Sequence, residues 1–256
     1  MFVSCKAAAA FLPQFEWYHG PYKLTSTVPQ GAREVGFFIY PAAEAPEALP
    51  AESSKQQAAE GGNGMNTKSI LIAGTGGQGA LLASRLLESL LLEAGYDVKV
   101  SRAWDRQDGS VAACVRYGVR VDAPDIHRGE ADILVALELL AAARRTSYLK
   151  PEGTLIANAR QELPRPVITG TASYPEDLAR NLRRVCRDPF LVDALAPARA
   201  AGSLKTVNVV LLGLLSTLLD LPEQSWQDAL ARCLKPALLQ MNLSAFERGR
   251  ALGRTA

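Results

Sequence analysis

The chain has 256 residues, with 28 basic against 26 acidic side chains. That length holds one sizeable core, or one core plus a tail. The near-neutral balance argues against nucleic acid as the main partner, because phosphate recognition leaves a clustered basic excess.

The pattern changes at Met65. Residues 1–64 lack sustained periodicity and are rich in Ala, Pro, Glu, Gly and Ser, as in 42-AAEAPEALPAESSKQQAAEGGNG-64. Such a composition predicts a disordered extension. Met65 is the expected true start. A folded-domain pattern begins just after it, and 60-EGG-62 can be encoded by a purine-rich ribosome-binding sequence upstream of an ATG.

From Thr67 onward strand-like and helix-like segments alternate. Ser69–Ala73 predicts a buried strand. Gln78–Ala94 predicts a helix with Leu81, Leu82, Leu86, Leu90 and Leu91 on one face and Gly95 as its stop. Strands are expected at Asp97–Ser101, Ser110–Tyr117 and Asp132–Leu137, with a helix then running to about Tyr148. A turn at Pro151–Gly153 precedes a strand at Thr154–Asn158, and Pro166–Thr169 reads as a short edge strand. Helices are expected at Pro175–Arg187, Leu204–Leu219 and Ser225–Leu252, the last kinked at Pro236. This order predicts an α/β, Rossmann-like, mostly parallel sheet with helices on both faces and a helical C-terminal region.

The strand, turn and helix at 71-LIAGTGGQGALLASRLL-87 contain G-x-G-x-x-G at Gly74, Gly76 and Gly79. Such a turn lets a ligand approach the backbone, and the helix N-terminus favours an anion. A dinucleotide site also needs an acid at the end of the second strand. The strand instead ends at Ser101-Arg102, so NAD is disfavoured, and Arg102 keeps a 2′-phosphate, hence NADP, open. A turn that only packs helix on strand is the plainer alternative.

No catalytic set stands out. HExxH, G-x-S-x-G and the P-loop string are all missing. The four cysteines, Cys5, Cys114, Cys186 and Cys233, have no C-x-x-C spacing, so neither a metal site nor a disulfide framework is expected, and a reducing cytoplasm fits. Cys114 reads as a core residue. His19 and His127 are too few for a histidine-built metal centre, and His127, in a polar loop, reads as structural or exposed. Glu138 closes a strand where ligands bind in open α/β sheets, or caps the next helix; both readings stand. The arginines at 144–145 and 183–184 read as solvated faces. The run 207–221 contains Asn208, Ser216 and Thr217 and reads as a buried helix rather than a membrane span. The start MFVSCKAAAAFLP is only faintly like a signal peptide, since Lys6 interrupts it. Part of the apolar surface of 207–221 and 226–246 is expected to meet a partner.

Five segments together resemble a known family: 70-ILIAGTGGQGALLASRLL-87, 98-VKVSRAWDRQDGSVAACVRYG-118, 129-GEADILVALELLAAAR-144, 199-RAAGSLKTVNVVLLGLL-215 and 242-NLSAFERG-249. They resemble the gamma-type subunit of 2-oxoacid:ferredoxin oxidoreductases, most of all the small beta subunit of indolepyruvate oxidoreductases. The likeness spans nearly all of residues 65–256 and none of 1–64. It implies a subunit of a cytoplasmic hetero-oligomer that oxidatively decarboxylates an aryl or branched 2-oxo acid to an acyl-CoA. Ferredoxin would accept the electrons, and thiamine diphosphate and iron–sulfur clusters would lie in a large partner subunit. Neither a nucleic acid nor a membrane partner is implied. The family's HGMAQRGGSV-like stretch is here 103-AWDRQDGSV-111, which matches at Gly109, Ser110 and Val111 and departs before them. Trp104, Arg106, Gln107, Gly109 and Ser110 are thereby the candidate substrate or interface loop. Gly74, Gly76, Gly77, Gln78 and Gly79 are the candidate loop for a CoA phosphate or partner backbone. A free-standing NADP enzyme and a non-catalytic Rossmann-like scaffold are the competing readings.

Overall fold

The computed structural model describes residues 67–104, 109–171 and 173–255. The expectations for residues 1–64, Arg106 and Gln107 lie outside the described residues. The chain divides into two units; one consists, in its described part, of residues 165–171 and 173–176, and the other contains all the remaining described residues. The first unit carries α3 (Arg165–Ile168), where an edge strand was expected. Pro166 supplies no N–H and has a fixed φ, which suits the first turn of a helix better than a ladder.

In the second unit, in chain order, β1 is Lys68–Thr75, α1 Ala80–Glu93, β2 Asp97–Trp104, β3 Ser110–Gly118, β4 Ala131–Ala136 and α2 Leu139–Arg145. A 3-10 turn at Thr146–Tyr148 leads into β5, Leu149–Asn158. After α3 come α4 (Leu178–Val185), β6 (Phe190–Val192), α5 (Leu195–Ala201), a 3-10 turn at Leu204–Thr206, α6 (Val207–Leu215), α7 (Glu223–Cys233) and α8 (Pro236–Thr255).

The six strands lie in the order β2-β3-β1-β4-β5-β6. β1, β4, β5 and β6 pair in parallel, while β3 is antiparallel to both β1 and β2. Only β3 runs against the rest, so the sheet is mostly parallel as expected. Only five residues of sequence separate β2 from β3, and a connection that short forces an antiparallel pair.

Alternate residues separate two faces. Ile70, Ile72, Val111, Ala113, Val115, Ile133, Val135 and Ile156 join α1, α6, α7 and α8 in the main core. Leu71, Ala73, Leu134, Ala136, Leu155 and Ala157 are buried on the opposite face. There α2 packs on β1, β4 and β5, and α4 packs on α2 through buried Leu178 and Leu182. Cys114 belongs to this second face and is only half-buried, not a member of the main core.

Two further expectations change. Pro151–Gly153 is not a turn before β5 but a bulge within it, since Ala131 pairs with Leu149 and Ile133 with Thr154. The long final helix is broken, not kinked. Leu234 is extended (φ −112°, ψ 151°), and Pro236 starts α8 at the position where its missing N–H costs nothing. The apolar C-terminal segments are largely consumed by their own core: Asn208 through Leu215 are all buried, as are Trp226, Ala229, Leu230, Ala245 and Phe246. The close crossing of α6 and α8 explains how. A Cβ added to Gly249 would collide with the Val210 carbonyl, and one on Gly213 with the Phe246 carbonyl. Small residues let the two backbones touch.

Candidate functional site

β1 ends at Thr75, which pairs with Ser110, and the glycine loop follows. One residue further, the Gly76 N–H donates to the Gly109 carbonyl at 2.8 Å, so the β1–β3 ladder extends past both strand ends. This bond ties the glycine loop to Gly109 of the second candidate loop. Gly76 and Gly77 are exposed there. Trp104, at the end of β2 and paired with Val111, is 65% exposed. A tryptophan this open is uncommon.

Gln78 turns inward. Its Oε1 accepts the Thr75 N–H at 2.8 Å, and a Cβ on Gly74 would come within 2.6 Å of that oxygen. Gln78 is therefore a strut of the loop, and its carbonyl oxygen is not offered outward. Gly79, at φ 89°, is the N-cap of α1 and lends it no side-chain hydrogen bond. Among the described residues, the amides of Gly77, Gly79 and Ala80 have no acceptor. Amides of this kind at a helix start favour an anion or a carbonyl. The carbonyl of Gly79 accepts from Ala83 N–H at 3.0 Å and from Asn208 Nδ2 at 3.2 Å. Asn208 lies in the GSLKTVN string, far downstream, and sequence reasoning did not select it.

The geometry does not suit a nicotinamide dinucleotide. In the dinucleotide fold the second strand lies beside the first, so its end reaches the ribose. Here β3 separates β2 from β1. Arg102 lies along α1 instead, with Nη2 2.6 Å from Glu88 and Nε 3.0 Å from the Ser84 hydroxyl.

The other candidates resolve as structure. Glu138 caps α2, its carboxylate accepting from Leu140 N–H at 2.7 Å and from Ala141 N–H. It is 2% exposed, and burial raises its pKa, with the two N–H donors and Arg144 pulling the other way. His127 is exposed in the loop before β4. Cys114, Cys186 and Cys233 lie on separate parts of the chain, and no group of three metal-capable side chains occurs among the described residues. These residues do not fit an iron–sulfur cluster. No helix among the described residues is long and apolar enough to cross a membrane.

Residues 69–252 match the family described as pyruvate ferredoxin/flavodoxin oxidoreductase, and the chain belongs to it. It is a small-subunit-type member of the 2-oxoacid:ferredoxin oxidoreductases. It is 34% identical over 194 residues to indolepyruvate oxidoreductase subunit IorB of Thermococcus kodakarensis, covering 72% of this chain and 95% of that one. Against IorB of Pyrococcus horikoshii it is 35% identical over 192 residues, covering 72% and 95%. The fold is similar to the gamma subunit of a keto/oxoacid ferredoxin oxidoreductase from Geobacter sulfurreducens, with TM-score 0.57 and 20% identity over 74% of this chain and 99% of that one. It is also similar to part of 2-oxoglutarate:ferredoxin oxidoreductase from Magnetococcus marinus, solved with 2-oxoglutarate, coenzyme A and succinyl-CoA bound. There the TM-score is 0.58 and the identity 20%, over 74% of this chain and 31% of that one.

Proposed function

We propose that this chain is the small subunit of a cytoplasmic 2-oxoacid:ferredoxin oxidoreductase acting on indolepyruvate or another arylpyruvate. A large partner subunit would hold thiamine diphosphate and the iron–sulfur clusters, and ferredoxin would take the electrons. The IorB relatives support the substrate class. The donor chemistry of the described residues supports redox centres elsewhere, since no group of three metal-capable side chains occurs among them.

The observation that carries the reading is the Gly76–Gly109 hydrogen bond. It belongs to the glycine loop, whose Gly77, Gly79 and Ala80 amides have no acceptor among the described residues, and exposed Trp104 lies at the end of β2, which pairs with β3. The loop thus offers N–H donors for a CoA phosphate or a partner carbonyl, and Trp104 an aromatic ring for a partner or substrate. The departure of 103–111 from the family string makes this loop the candidate for any difference in substrate.

The test is Gly76→Val combined with Gln78→Ala in the assembled enzyme. The valine covers the exposed amides and the alanine removes the strut. Loss of one anion-holding amide pair is expected to raise the Michaelis constant for CoA by about tenfold, equivalent to about 1.4 kcal/mol, or to abolish assembly. An unchanged constant together with unchanged assembly removes both roles.

A further inference from the structure

Asn208 is the second residue of α6, and its neighbours Val209 to Leu215 are apolar and fully buried. The residue itself is 2% exposed. Its Nδ2 donates to the Gly79 carbonyl at 3.2 Å, across 129 residues of sequence. Its Oδ1 is buried and has no partner among the described residues. A half-satisfied carboxamide is an expensive choice in an apolar helix, and a leucine of similar shape would serve packing better. Packing therefore does not account for this side chain; its contact with the glycine loop does.

The contact has a defined mechanical consequence. A trans peptide is planar, so its carbonyl and N–H point in opposite directions. Asn208 and the Ala83 N–H together fix the Gly79 carbonyl and so aim the Ala80 N–H, the first amide of α1. Asn208 also fills the space a side chain at position 79 would need, since a Cβ on Gly79 would meet Nδ2 at 2.5 Å. The anchor is rigid, because α6 is seated on α8 through the Gly213 and Gly249 contacts. On the other side of the loop, Gln78 holds Thr75 N–H. Two carboxamides, one local and one from the C-terminal helices, thus clamp the loop.

We infer that Asn208 is a positioning residue for the glycine loop, through which α6 sets the direction of the amides at the start of α1 and so the affinity of the loop for its ligand. This rests on the reading of that loop as a ligand or partner site.

The test uses Asn208→Leu and Asn208→Asp in the assembled enzyme. The leucine keeps the shape and removes the donor. The aspartate keeps the shape, cannot donate, and places a negative charge behind the loop. Three quantities are read: the thermal midpoint, hydrogen exchange of amides 76–82, and the Michaelis constant for CoA against kcat. For Asn208→Leu the thermal midpoint is expected to hold or rise, while exchange at 76–82 quickens by about tenfold through local opening. For both variants the Michaelis constant for CoA is expected to rise about tenfold, equivalent to about 1.4 kcal/mol, with kcat changed less than about twofold. Unchanged exchange at 76–82 in both variants overturns the inference. So does faster exchange with an unchanged CoA constant, if Gly76→Val does raise that constant. If neither Gly76→Val nor the Asn208 variants move it, yet exchange quickens, the positioning role stands and the CoA reading of the loop falls.

Discussion

The Gly76 amide and the Gly109 carbonyl lie 2.8 Å apart, one step beyond the last paired residues of β1 and β3. That single bond joins the glycine loop to the residue before β3. It also leaves room: a Cβ on Gly76 would meet the Gly109 carbonyl at 3.7 Å, an ordinary contact.

The loop glycines should therefore differ sharply in tolerance. Gly76→Ala meets no strain and is expected to stay within about 1 kcal/mol of the parent, since a compatible Gly-to-Ala change restricts the unfolded chain. Gly79→Ala has to hold φ 89° and displace Asn208. Left-handed backbone costs roughly 1–2 kcal/mol and overpacking typically 1–3 kcal/mol more. Urea unfolding of the two variants measures the gap, and equal midpoints would contradict the loop geometry.

A second prediction concerns the α6–α8 crossing. Gly249→Val drives a branched side chain into the Val210 backbone, which has no rotamer by which to escape. A loss of about 3 kcal/mol or more is expected, at the upper end of overpacking costs. Denaturant unfolding checks it, with Arg248→Val as the exposed control on the same helix.

Glu138 makes stability depend on pH in a stated direction. Burial raises its folded pKa above the ordinary 4.5. Its contribution is then fully present below the unfolded pKa and is lost as pH rises through the folded one. Glu138→Gln keeps an acceptor for the α2 amides and cannot ionise. Relative to this variant, the parent is expected to lose stability as pH rises above about 4.5. A difference that stays constant over that range, measured by unfolding at each pH, would show that the Leu140 and Ala141 amides fully offset the burial.

The strand order gives a fourth expectation. Among the described residues, β3 lies between β1 and β2 and Arg102 is paired to Glu88, so Arg102 is not placed to hold a 2′-phosphate beside the glycine loop. Titration with NADPH, followed by fluorescence, should show no saturation at concentrations up to about 1 mM, a Kd equivalent to about −4.1 kcal/mol. Saturable binding lost in Arg102→Ala would restore the NADP reading.

Much of the fold was legible in local pattern. The apolar run Ser69–Ala73, the glycine turn and the leucine-rich helix after it fix β1 and α1 to within two residues at each end, because period and turn chemistry agree there. The reversed β3 was not drawn, although two strands without a helix between them already imply a hairpin. β6 at Phe190–Val192 and α5 at Leu195–Ala201 were missed because each is too short to show a period. The site divides in the same way. Glycine positions are visible in sequence, since only a turn needs so many. The inward fold of Gln78 and the Gly79–Asn208 bond are tertiary facts with no periodic signature. A downstream signal did exist: an asparagine opening an otherwise apolar buried helix is a polar group that needs a partner.

The most direct measurement is affinity capture of this chain from its native host under anaerobic conditions, with mass spectrometry of what comes with it and an arylpyruvate-dependent dye-reduction assay of the eluate. The account predicts a large partner carrying thiamine diphosphate and iron–sulfur clusters, with activity that requires arylpyruvate and CoA. A clean monomer, or a partnered complex inert towards every arylpyruvate tried, would contradict it.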